Sequence, residues 1–379
     1  MKKTLFLLWV MAISAPAMAQ KENIVIGHTV TLHSKVMNEE RRVMIYLPEN
    51  YEESSEKCPV VYVLDGTSHY LHAASSTQFL SNISKAPGLI VVAITNTRRS
   101  RDMTTPDPDS RKFRENGGAA LFASFIGSEL IPYINAHYRT QPYNILAGHS
   151  LAGFFTFYMM LNHTALFDAY IAISPSLYWN DEALVNQLEQ LIEGGAPLNK
   201  FLYMTYGREG ATGIINSGNR VVRLLETQAP AGLRWAFEYM ADEMHPSIPN
   251  RAFYEGIERL FEGWMFTLPV KSASAEKMRT HYATLSERFG FSCLPPEQWL
   301  VIYGYETLRG GNIPKAIDYF KLAVETYPGS ANAYDCLGEA YMKAGEKAPA
   351  IANYTKSLEL NPDNQNAVKM LEKLGAPVK

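Results

Sequence analysis

The chain has 379 residues, a formal net charge of −3, and 47% hydrophobic against 19% charged residues. This length favours two domains, and the composition excludes an intrinsically disordered chain. The small net charge gives no support to nucleic acid or an anionic membrane surface as a partner.

Residues 1–19 have the pattern of a secretory signal peptide. A positively charged start at Lys2 and Lys3 precedes a short apolar run, and the small residues up to Ala19 fit cleavage before Gln20. A retained membrane anchor is the alternative, but the run is too short to span a bilayer comfortably. No later stretch predicts a membrane span, so we expect a periplasmic or secreted protein without a span after cleavage.

Residues 20–265 alternate strand-like and helix-like segments. Apolar β-rich runs, which fit strands buried between helix layers, lie at 43–47, 60–64, 89–94, 144–147, 170–173 and 201–206. Helical patterns lie at 118–136, 151–161, 181–193, 218–228 and 251–264. This alternation predicts an α/β domain with a doubly wound, mainly parallel sheet.

Three cysteines, Cys58, Cys293 and Cys336, are spaced too widely for a disulfide framework or a metal site. Cys336 falls on the apolar face of a predicted helix, which favours a position in the core. A single bridge between Cys58 and Cys293 stays open at this stage.

The segment around Ser150 carries the strongest chemical signal. It resembles the Gly-x-Ser-x-Gly nucleophile elbow, with Gly148 two residues before the serine and Gly153 three residues after it. A buried strand precedes it and an apolar helix follows, which is the context that the elbow of an α/β-hydrolase needs. We therefore predict Ser150 as a nucleophile; the alternative is a glycine-rich turn around a serine without a catalytic role.

A serine nucleophile needs a base, usually a histidine, and in α/β-hydrolases the acid and the histidine follow the serine in the chain. Six of the nine histidines precede Ser150. His163 ends the helix after the elbow, and His281 lies beyond the closing helix of this part. His245 lies in a loop between the β-like stretch 234–240 and that closing helix, so it is the predicted base. The alternative is a solvated loop histidine.

The acid is less clearly marked in the sequence. Glu209 follows the predicted strand 201–206, at a strand end where a triad acid often lies. Asp181 and Glu243 are further candidates, and a dyad without an acid is also open.

Acyl transfer also needs donors for the oxyanion. One should be the amide of Leu151, directly after the nucleophile, and the other that of Gly66 or Thr67, in the loop after the strand 60–64. Asp65 is interpreted as structural, capping that turn. Such a mechanism requires neither a metal nor another cofactor.

Two groups of residues are candidates for substrate binding. Arg98, Arg99 and Arg101 lie in a loop after a buried strand and could bind an anionic substrate, with Arg98 and Arg101 as the predicted contacts. The alternative is that one arginine pairs with Asp102 and the others are solvated. Tyr178 and Trp179 could line an aromatic pocket or equally belong to the core.

The C-terminal part, 297–379, shows self-similarity at a period of 34. Glycines, alanines, aromatic residues and prolines recur in the pairs Gly304 and Gly338, Gly311 and Gly345, Ala316 and Ala350, Phe320 and Tyr354, and Pro328 and Pro362. This pattern resembles the tetratricopeptide repeat. Two repeats fit, 297–330 and 331–364, with a capping helix at 366–374. Because two repeats rarely stand alone, we expect them to pack on the helical segment 274–290 within 266–296, or on the first domain; 266–273 is interpreted as a linker.

Several short motifs occur in one order along 24–265: Val63-Leu64-Asp65-Gly66, the run from Asn96 to Pro106, the elbow, Phe167-Asp168, Ile173-Ser174-Pro175-Ser176, and Glu243-Met244-His245. Together they resemble the putative esterase family related to esterase D, in particular its branch of enterobactin-type siderophore esterases. The resemblance implies hydrolysis of carboxylic esters with Ser150 as nucleophile and His245 as base. Members act on siderophore lactones, feruloyl esters, acetyl sugar esters and other acyl esters, and a C-terminal repeat domain recurs among them.

Three functions follow from these patterns. The first is a serine esterase with a small-molecule ester as substrate and, through the repeats, a possible protein partner. An acyltransferase using the same triad is the second. The third is an inactive hydrolase fold that binds through its repeats, against which the intact Ser150 and His245 argue.

Overall fold

The computed structural model describes residues 23–49, 51–52, 54–107 and 115–377. The predicted signal peptide lies outside these residues. Within them, eight strands form one sheet in the order β1-β2-β4-β3-β5-β6-β7-β8. Strands β1, β2 and β4 are joined by antiparallel pairing, and β4, β3, β5, β6, β7 and β8 by parallel pairing. The predicted α/β, mainly parallel architecture is confirmed.

The strands span His28–Ser34 (β1), Glu39–Tyr46 (β2), Cys58–Val63 (β3), Ile90–Ile94 (β4), Thr140–His149 (β5), Ala169–Ile173 (β6), Phe201–Arg208 (β7) and Arg234–Met244 (β8). The helices of this part span Gly66–Asn82 (α1), Arg99–Met103 (α2), Ala119–Phe125 (α3), Ile131–His137 (α4), Leu151–Asn162 (α5), Trp179–Glu193 (α6), Thr212–Gln228 (α7) and Ile248–Leu260 (α8), with a π-helical turn at Ile126–Leu130 joining α3 to α4.

Side chains that alternate along the strands pack on two helix layers. One layer contains α3, α4, α5, α6 and α7, and the other contains α1 and α8. Because β3, β4 and β6 are buried on both faces, their sequences are apolar throughout, which is why the sequence predicted them.

The structure adds elements that the sequence did not predict. Helix α1 buries mainly small and polar residues such as Ala73, Ala74 and Thr77, so its sequence carries little helical periodicity. Helix α7 begins six residues earlier than expected, at Thr212. The first turn of α6 is left-handed, with Asp181 at φ 50°, so regular helix does not start at Asp181 as predicted.

One helical stretch, Ala119–His137, is long and apolar enough to cross a membrane, contrary to the expectation that no later stretch is. Its larger apolar side chains Phe122, Phe125 and Ile134 are buried against the sheet, whereas Leu121 is exposed. Burial of one face against the sheet is typical of a core helix.

The C-terminal part consists of helices Ala275–Phe289 (α9), Glu297–Arg309 (α10), Ile313–Thr326 (α11), Ala331–Lys343 (α12), Lys347–Leu360 (α13) and Gln365–Lys373 (α14). Paired helices α10–α11 and α12–α13 follow the predicted repeats. In the segment that the sequence suggested as a linker, Phe266 is buried. The Leu268 carbonyl accepts a hydrogen bond from the Tyr303 hydroxyl, and the Val270 carbonyl accepts one from the Lys315 ammonium group. The segment is therefore packed between the two parts.

The three cysteines are buried and unbonded to one another. Burial raises the pKa of Cys58 to about 12 and that of Cys293 to about 11. The bridge between Cys58 and Cys293 that the sequence left open is absent from the structure.

Candidate active site

Ser150 lies at the turn between β5 and α5, at the carboxyl end of the sheet. Its backbone has φ 60° and ψ −116°, a conformation that non-glycine residues rarely adopt. The turn is held by hydrogen bonds from the Ser150 amide to the Ile173 carbonyl and from the Ser176 amide to the Ser150 carbonyl, at 2.9 and 3.0 Å. A strained residue held on both sides in this way presents its side chain at a fixed position.

The two glycines of the elbow permit this turn. A Cβ atom at Gly148 would stand 2.4 Å from the main-chain oxygen of Ala152, and one at Gly153 would stand 3.0 Å from that of Ile173. Because main-chain atoms cannot move aside cheaply, glycine at these positions follows from the close approach of β5, α5 and β6.

Three side chains from three different loops form one hydrogen-bonded chain. The Oγ of Ser150 lies 3.0 Å from Nε2 of His245, and Nδ1 of His245 lies 2.5 Å from Oε2 of Glu209. Ser150 follows β5, Glu209 follows β7 and His245 follows β8, so the parallel strands deliver all three to one edge of the sheet. This is the arrangement of nucleophile, base and orienting carboxylate that acyl transfer uses.

The side chain of Glu209 is fully buried, and its carboxylate accepts several hydrogen bonds. The Ser174 hydroxyl donates to its Oε1 at 2.5 Å, and the Gly207 amide donates to the same oxygen at 3.1 Å. Burial opposes the charged form, but the hydrogen bonds from His245, Ser174 and Gly207 outweigh it and hold the pKa of Glu209 below its ordinary value. Glu209 is therefore ionised at neutral pH and can orient an imidazole.

Neither alternative acid takes this place. Asp181 lies in the left-handed turn of α6 and is exposed. The Glu243 carboxylate accepts a hydrogen bond from Ser247 at 2.6 Å, within its own loop. The geometry brings Glu209, and not Asp181 or Glu243, to His245.

A second histidine packs on the candidate base. The ring of His149 lies 4.5 Å from that of His245, and its Nε2 is buried without a hydrogen-bond partner among the residues described. Burial, together with the neighbouring His245 and His69, lowers the pKa of His149 to about 3. His149 is thus a neutral ring at physiological pH that packs on the candidate base.

The candidate oxyanion donors lie at two helix N-termini. Leu151 is the first residue of α5, and Gly66 and Thr67 are the first two of α1, so their amides have no partner within their helices. A Cβ at Gly66 would stand 2.7 Å from the carbonyl carbon of Ala93, which requires glycine there. Amides at helix N-termini favour negative charge, as an oxyanion site requires.

An ion pair links the two sides of this candidate oxyanion site. Asp65, in a left-handed conformation before α1, accepts two hydrogen bonds from Arg99, at 2.7 and 2.8 Å, and one from Asn96. The same guanidinium donates to the carbonyl of His149 at 3.3 Å. Asp65 is therefore held by side chains of the fold, but its own side chain does not cap α1 as the sequence suggested. Arg99 connects the start of α1 to the elbow.

The predicted substrate-binding residues differ in their surroundings. Arg101 is engaged by Glu39 and Asp102, both at 2.6 Å, so its charge is compensated within the fold. Arg98 is 57% exposed and lies 3.7 Å from Glu115.

The aromatic candidates differ from each other as well. Trp179 is buried and donates to the carbonyl of Thr105 at 3.2 Å, whereas Tyr178 is half-buried against Gly213. Of the four predicted substrate-binding residues, Trp179 is buried, Arg101 keeps 22% of its side-chain surface exposed while it is held in ion pairs, and Arg98 is the most exposed.

Two serines at the site were not predicted as functional residues from the sequence. Ser174 holds Glu209, and the Oγ of Ser176 lies 3.5 Å from that of Ser150. Both follow β6, the strand next to the elbow strand. Their place directly after a buried strand was the signal that could have identified them, because strand ends beside the nucleophile contribute to the site.

Comparison with known proteins identifies the family of this chain. The family model described as Putative esterase matches residues 34–201, which contain the elbow and the candidate oxyanion residues. The solved structure of an IroE-like serine hydrolase from Shewanella oneidensis is 30% identical, with a TM-score of 0.70 over 79% of this chain and 99% of that chain. The chain belongs to the putative esterase family. It is accordingly an ester hydrolase, as the resemblance implied.

Two curated relatives of this chain are named as siderophore esterases. Ferri-bacillibactin esterase BesA of Bacillus subtilis is 26% identical over 214 residues, which are 50% of this chain and 74% of the relative. The siderophore enterobactin esterase of Emericella nidulans is 28% identical over 169 residues, 39% of this chain and 56% of the relative. A tetratricopeptide-repeat model matches residues 331–364, which confirms the second of the two repeats predicted at the C-terminus.

Proposed function

We propose that this esterase is an exported serine hydrolase in which Ser150, His245 and Glu209 are nucleophile, base and acid. The observation that carries the proposal is the continuous hydrogen-bonded chain from Ser150 Oγ through His245 to the buried Glu209. A hydroxyl is a weak nucleophile at neutral pH, and this geometry supplies the base that activates it.

The proposed reaction has two steps. As Ser150 Oγ attacks the ester carbonyl, His245 Nε2 takes its proton, and the amides of Leu151 and of Gly66 or Thr67 donate to the oxyanion. The imidazolium, stabilised by Glu209, then protonates the departing alcohol and leaves an acyl-enzyme. Water deprotonated by His245 attacks the acyl carbon, and Ser150 regains the proton as the acid product departs.

We propose a siderophore ester as the substrate. The named activities of the two curated relatives, which match 50% and 39% of this chain, support this class. Feruloyl and acetyl sugar esters are the comparison substrates. Arg98 and Tyr178, which keep exposed surface, are the proposed contacts with the substrate.

The proposed domain organisation follows the sequence analysis. It comprises a signal peptide at 1–19, the esterase domain at 20–265, the packing segment 266–296 and the repeats at 297–379. Export to the periplasm or medium depends on that signal peptide, and cell fractionation with N-terminal sequencing of the product tests it.

The test is hydrolysis of an ester panel by the chain from Gln20 onwards. The panel contains p-nitrophenyl acyl esters, feruloyl and acetyl sugar esters, and a catecholate trilactone. We expect Ser150→Ala and His245→Ala to lose at least about 10³-fold in kcat with unchanged thermal unfolding. A fluorophosphonate should label wild type and leave Ser150→Ala unlabelled. Substantial turnover by Ser150→Ala would refute the assigned nucleophile.

The acid is tested with a matched pair of isosteric variants. Glu209→Gln removes the charge that stabilises the imidazolium and should lower kcat by about 10²- to 10⁴-fold. Asp181→Asn is the control, since that carboxylate is exposed and lies in another turn. Equal, small losses in both variants would indicate a Ser150–His245 dyad.

A further inference from the structure

Strand β8 forms a free edge of the sheet. It is the last strand in the order and pairs with β7, and within the described residues nothing pairs with its other side. The Arg234 amide donates to the Lys200 carbonyl at 2.9 Å, so alternate residues from Arg234 turn their main chain towards β7. The residues between them, Trp235, Phe237 and Tyr239, turn their amides and carbonyls outward.

The part of this edge that is available for pairing is short and straight. Arg234 to Met240 pair with β7 in unbroken register, and the register shifts beyond, where Arg208 pairs with Met244. Phe237 is the central residue of that straight part. An antiparallel partner strand centred on Phe237 would pair with all three outward-facing residues. In each such pair, the two opposite residues would exchange both of their main-chain hydrogen bonds.

One face of the straight part is aromatic. The rings of Phe237 and Tyr239 lie 5.1 and 5.7 Å from that of Tyr206, and Tyr239 is nevertheless 51% exposed. Pairing centred on Phe237 would set Trp235 opposite Tyr239 of the other strand and Phe237 opposite its own copy. Aromatic pairs across strands are favourable, and the exposed ring of Tyr239 would be covered.

Charge is distributed unevenly along the same edge. A cleft of about 320 Å³ runs along it from Arg234 to Glu238 and is lined by three guanidinium groups, those of Arg234, Arg259 and Arg288, and by Glu262. The Glu238 carboxylate lies 3.8 Å from the Arg251 guanidinium. The Arg234 guanidinium donates to the Leu260 carbonyl at 3.4 Å and, within the described residues, forms no ion pair. Beyond the other end of the straight part lie Asp242 and Glu243.

We propose that β8 pairs with β8 of a second copy of this chain, antiparallel and centred on Phe237, which joins the two sheets into one. A two-fold axis brings the basic start of each edge to the acidic end of the other, so the charges are complementary. Centring on Glu238 would set that carboxylate opposite its own copy, which is unfavourable. Centring on Ala236 would leave the outward groups of Tyr239 beyond the straight part of the partner. This proposal is independent of the catalytic one.

The first test is the mass in solution of the chain from Gln20 onwards, by sedimentation velocity across a concentration series. Wild type should sediment with twice the mass of one chain. Tyr239→Lys should sediment as a single chain, because the lysine would lie opposite Trp235 at the basic start of the other copy, and charged side chains on an edge strand oppose pairing; it should keep its ester hydrolysis. Phe79→Lys on α1, where Phe79 is 54% exposed, is the matched control and should remain dimeric. A wild-type monomer at every concentration, or a Tyr239→Lys dimer, would overturn the proposal.

The second test examines the register by disulfide crosslinking. Residues opposite each other in a hydrogen-bonded antiparallel pair lie about 5.5 Å apart at Cα, within reach of a disulfide. Phe237→Cys should therefore form a covalent dimer under oxidation, at least about tenfold faster than Glu238→Cys, which would face Ala236. The native cysteines are buried and should not interfere. Equal crosslinking of both variants, or crosslinking of neither in a sample that sediments as a dimer, would exclude this register.

Discussion

At the scale of single residues, the charge of Glu209 depends on its three donors. The Ser174 hydroxyl and the Gly207 amide share one carboxylate oxygen, and His245 occupies the other. Ser174 itself is fully buried with φ 42°, a strained conformation held by a hydrogen bond from its amide to the Thr205 carbonyl. We infer that Ser174 is a positioning residue, since it fixes the carboxylate that in turn orients His245.

Ser174→Ala should change how stability depends on pH. The pKa of Glu209 is lowered from its ordinary value of 4.5, so its ionisation contributes stability above pH 4.5 that is lost as the pH falls through the folded pKa. Removing one donor raises the folded pKa and reduces that contribution. We expect the variant to lose about 1–2 kcal/mol of unfolding free energy at neutral pH, with a smaller difference from wild type below pH 4.5.

Urea unfolding across this pH range measures the effect. Ser176→Ala is the control, because the Ser176 hydroxyl lies beside Ser150 and not beside Glu209. A difference between Ser174→Ala and wild type that is the same at every pH would show that the hydroxyl contributes packing alone.

At the scale of elements, the glycines of the repeats set the distance between paired helices. A Cβ at Gly304 on α10 would stand 2.5 Å from the ring of Phe320 on α11. At the equivalent Gly338 on α12, it would stand 3.1 Å from the ring of Tyr354 on α13. The aromatic ring thus lies closer to the glycine in the first repeat than in the second, although the two repeats share one sequence pattern.

Gly304→Ala should destabilise the chain more than Gly338→Ala. The first substitution forces a buried aromatic ring to move, at a cost of about 1–3 kcal/mol, whereas the second needs a displacement of tenths of an ångström and should cost about 1 kcal/mol or less. Gly329→Ala is the control, since a Cβ there meets nothing within 4 Å. Chemical unfolding gives the three values; the reverse order would mean that α10 and α11 separate more easily than their packing indicates.

At the scale of the whole molecule, the repeats lie at the end of the sheet away from Ser150. The Trp299 indole of α10 donates to the Ser84 hydroxyl at 2.8 Å, just beyond the end of α1. Gly66, at the other end of this 17-residue helix, is roughly 25 Å away. One apolar cluster continues from the sheet through α9 to α11, so the first repeat extends the core of the esterase domain.

Trp299→Ala should therefore affect stability without affecting catalysis. Loss of a half-buried indole and its hydrogen bond should lower the free energy of unfolding by about 2 kcal/mol, while kcat/KM for p-nitrophenyl acetate stays unchanged. Leu360→Ala, at a 37% exposed leucine of the second repeat, is the control and should change stability by less than about 0.5 kcal/mol. Reduced turnover at unchanged stability would instead assign the repeats a part in the active site.

The sequence by itself determined the features that are local. The elbow at Ser150 and the 34-residue period are patterns of adjacent residues, and the strands buried on both faces are continuous apolar runs. The prediction of His245 as the base followed from chain order together with its place in the loop before the closing helix. Helix α1 and the left-handed turn at Asp181 were missed, because small and polar residues carry little periodicity.

Only the tertiary structure decided the relations between distant segments. Glu209 and Asp181 both follow strands, so the sequence could not decide which of them contacts His245. The strand order β5-β6-β7-β8 brings Glu209, at the end of β7, to His245 and leaves Asp181 exposed to solvent. The same order sets Ser174 beside Glu209 and leaves the edge of β8 open. Side-chain proximity across a sheet depends on strand order, which no local pattern encodes.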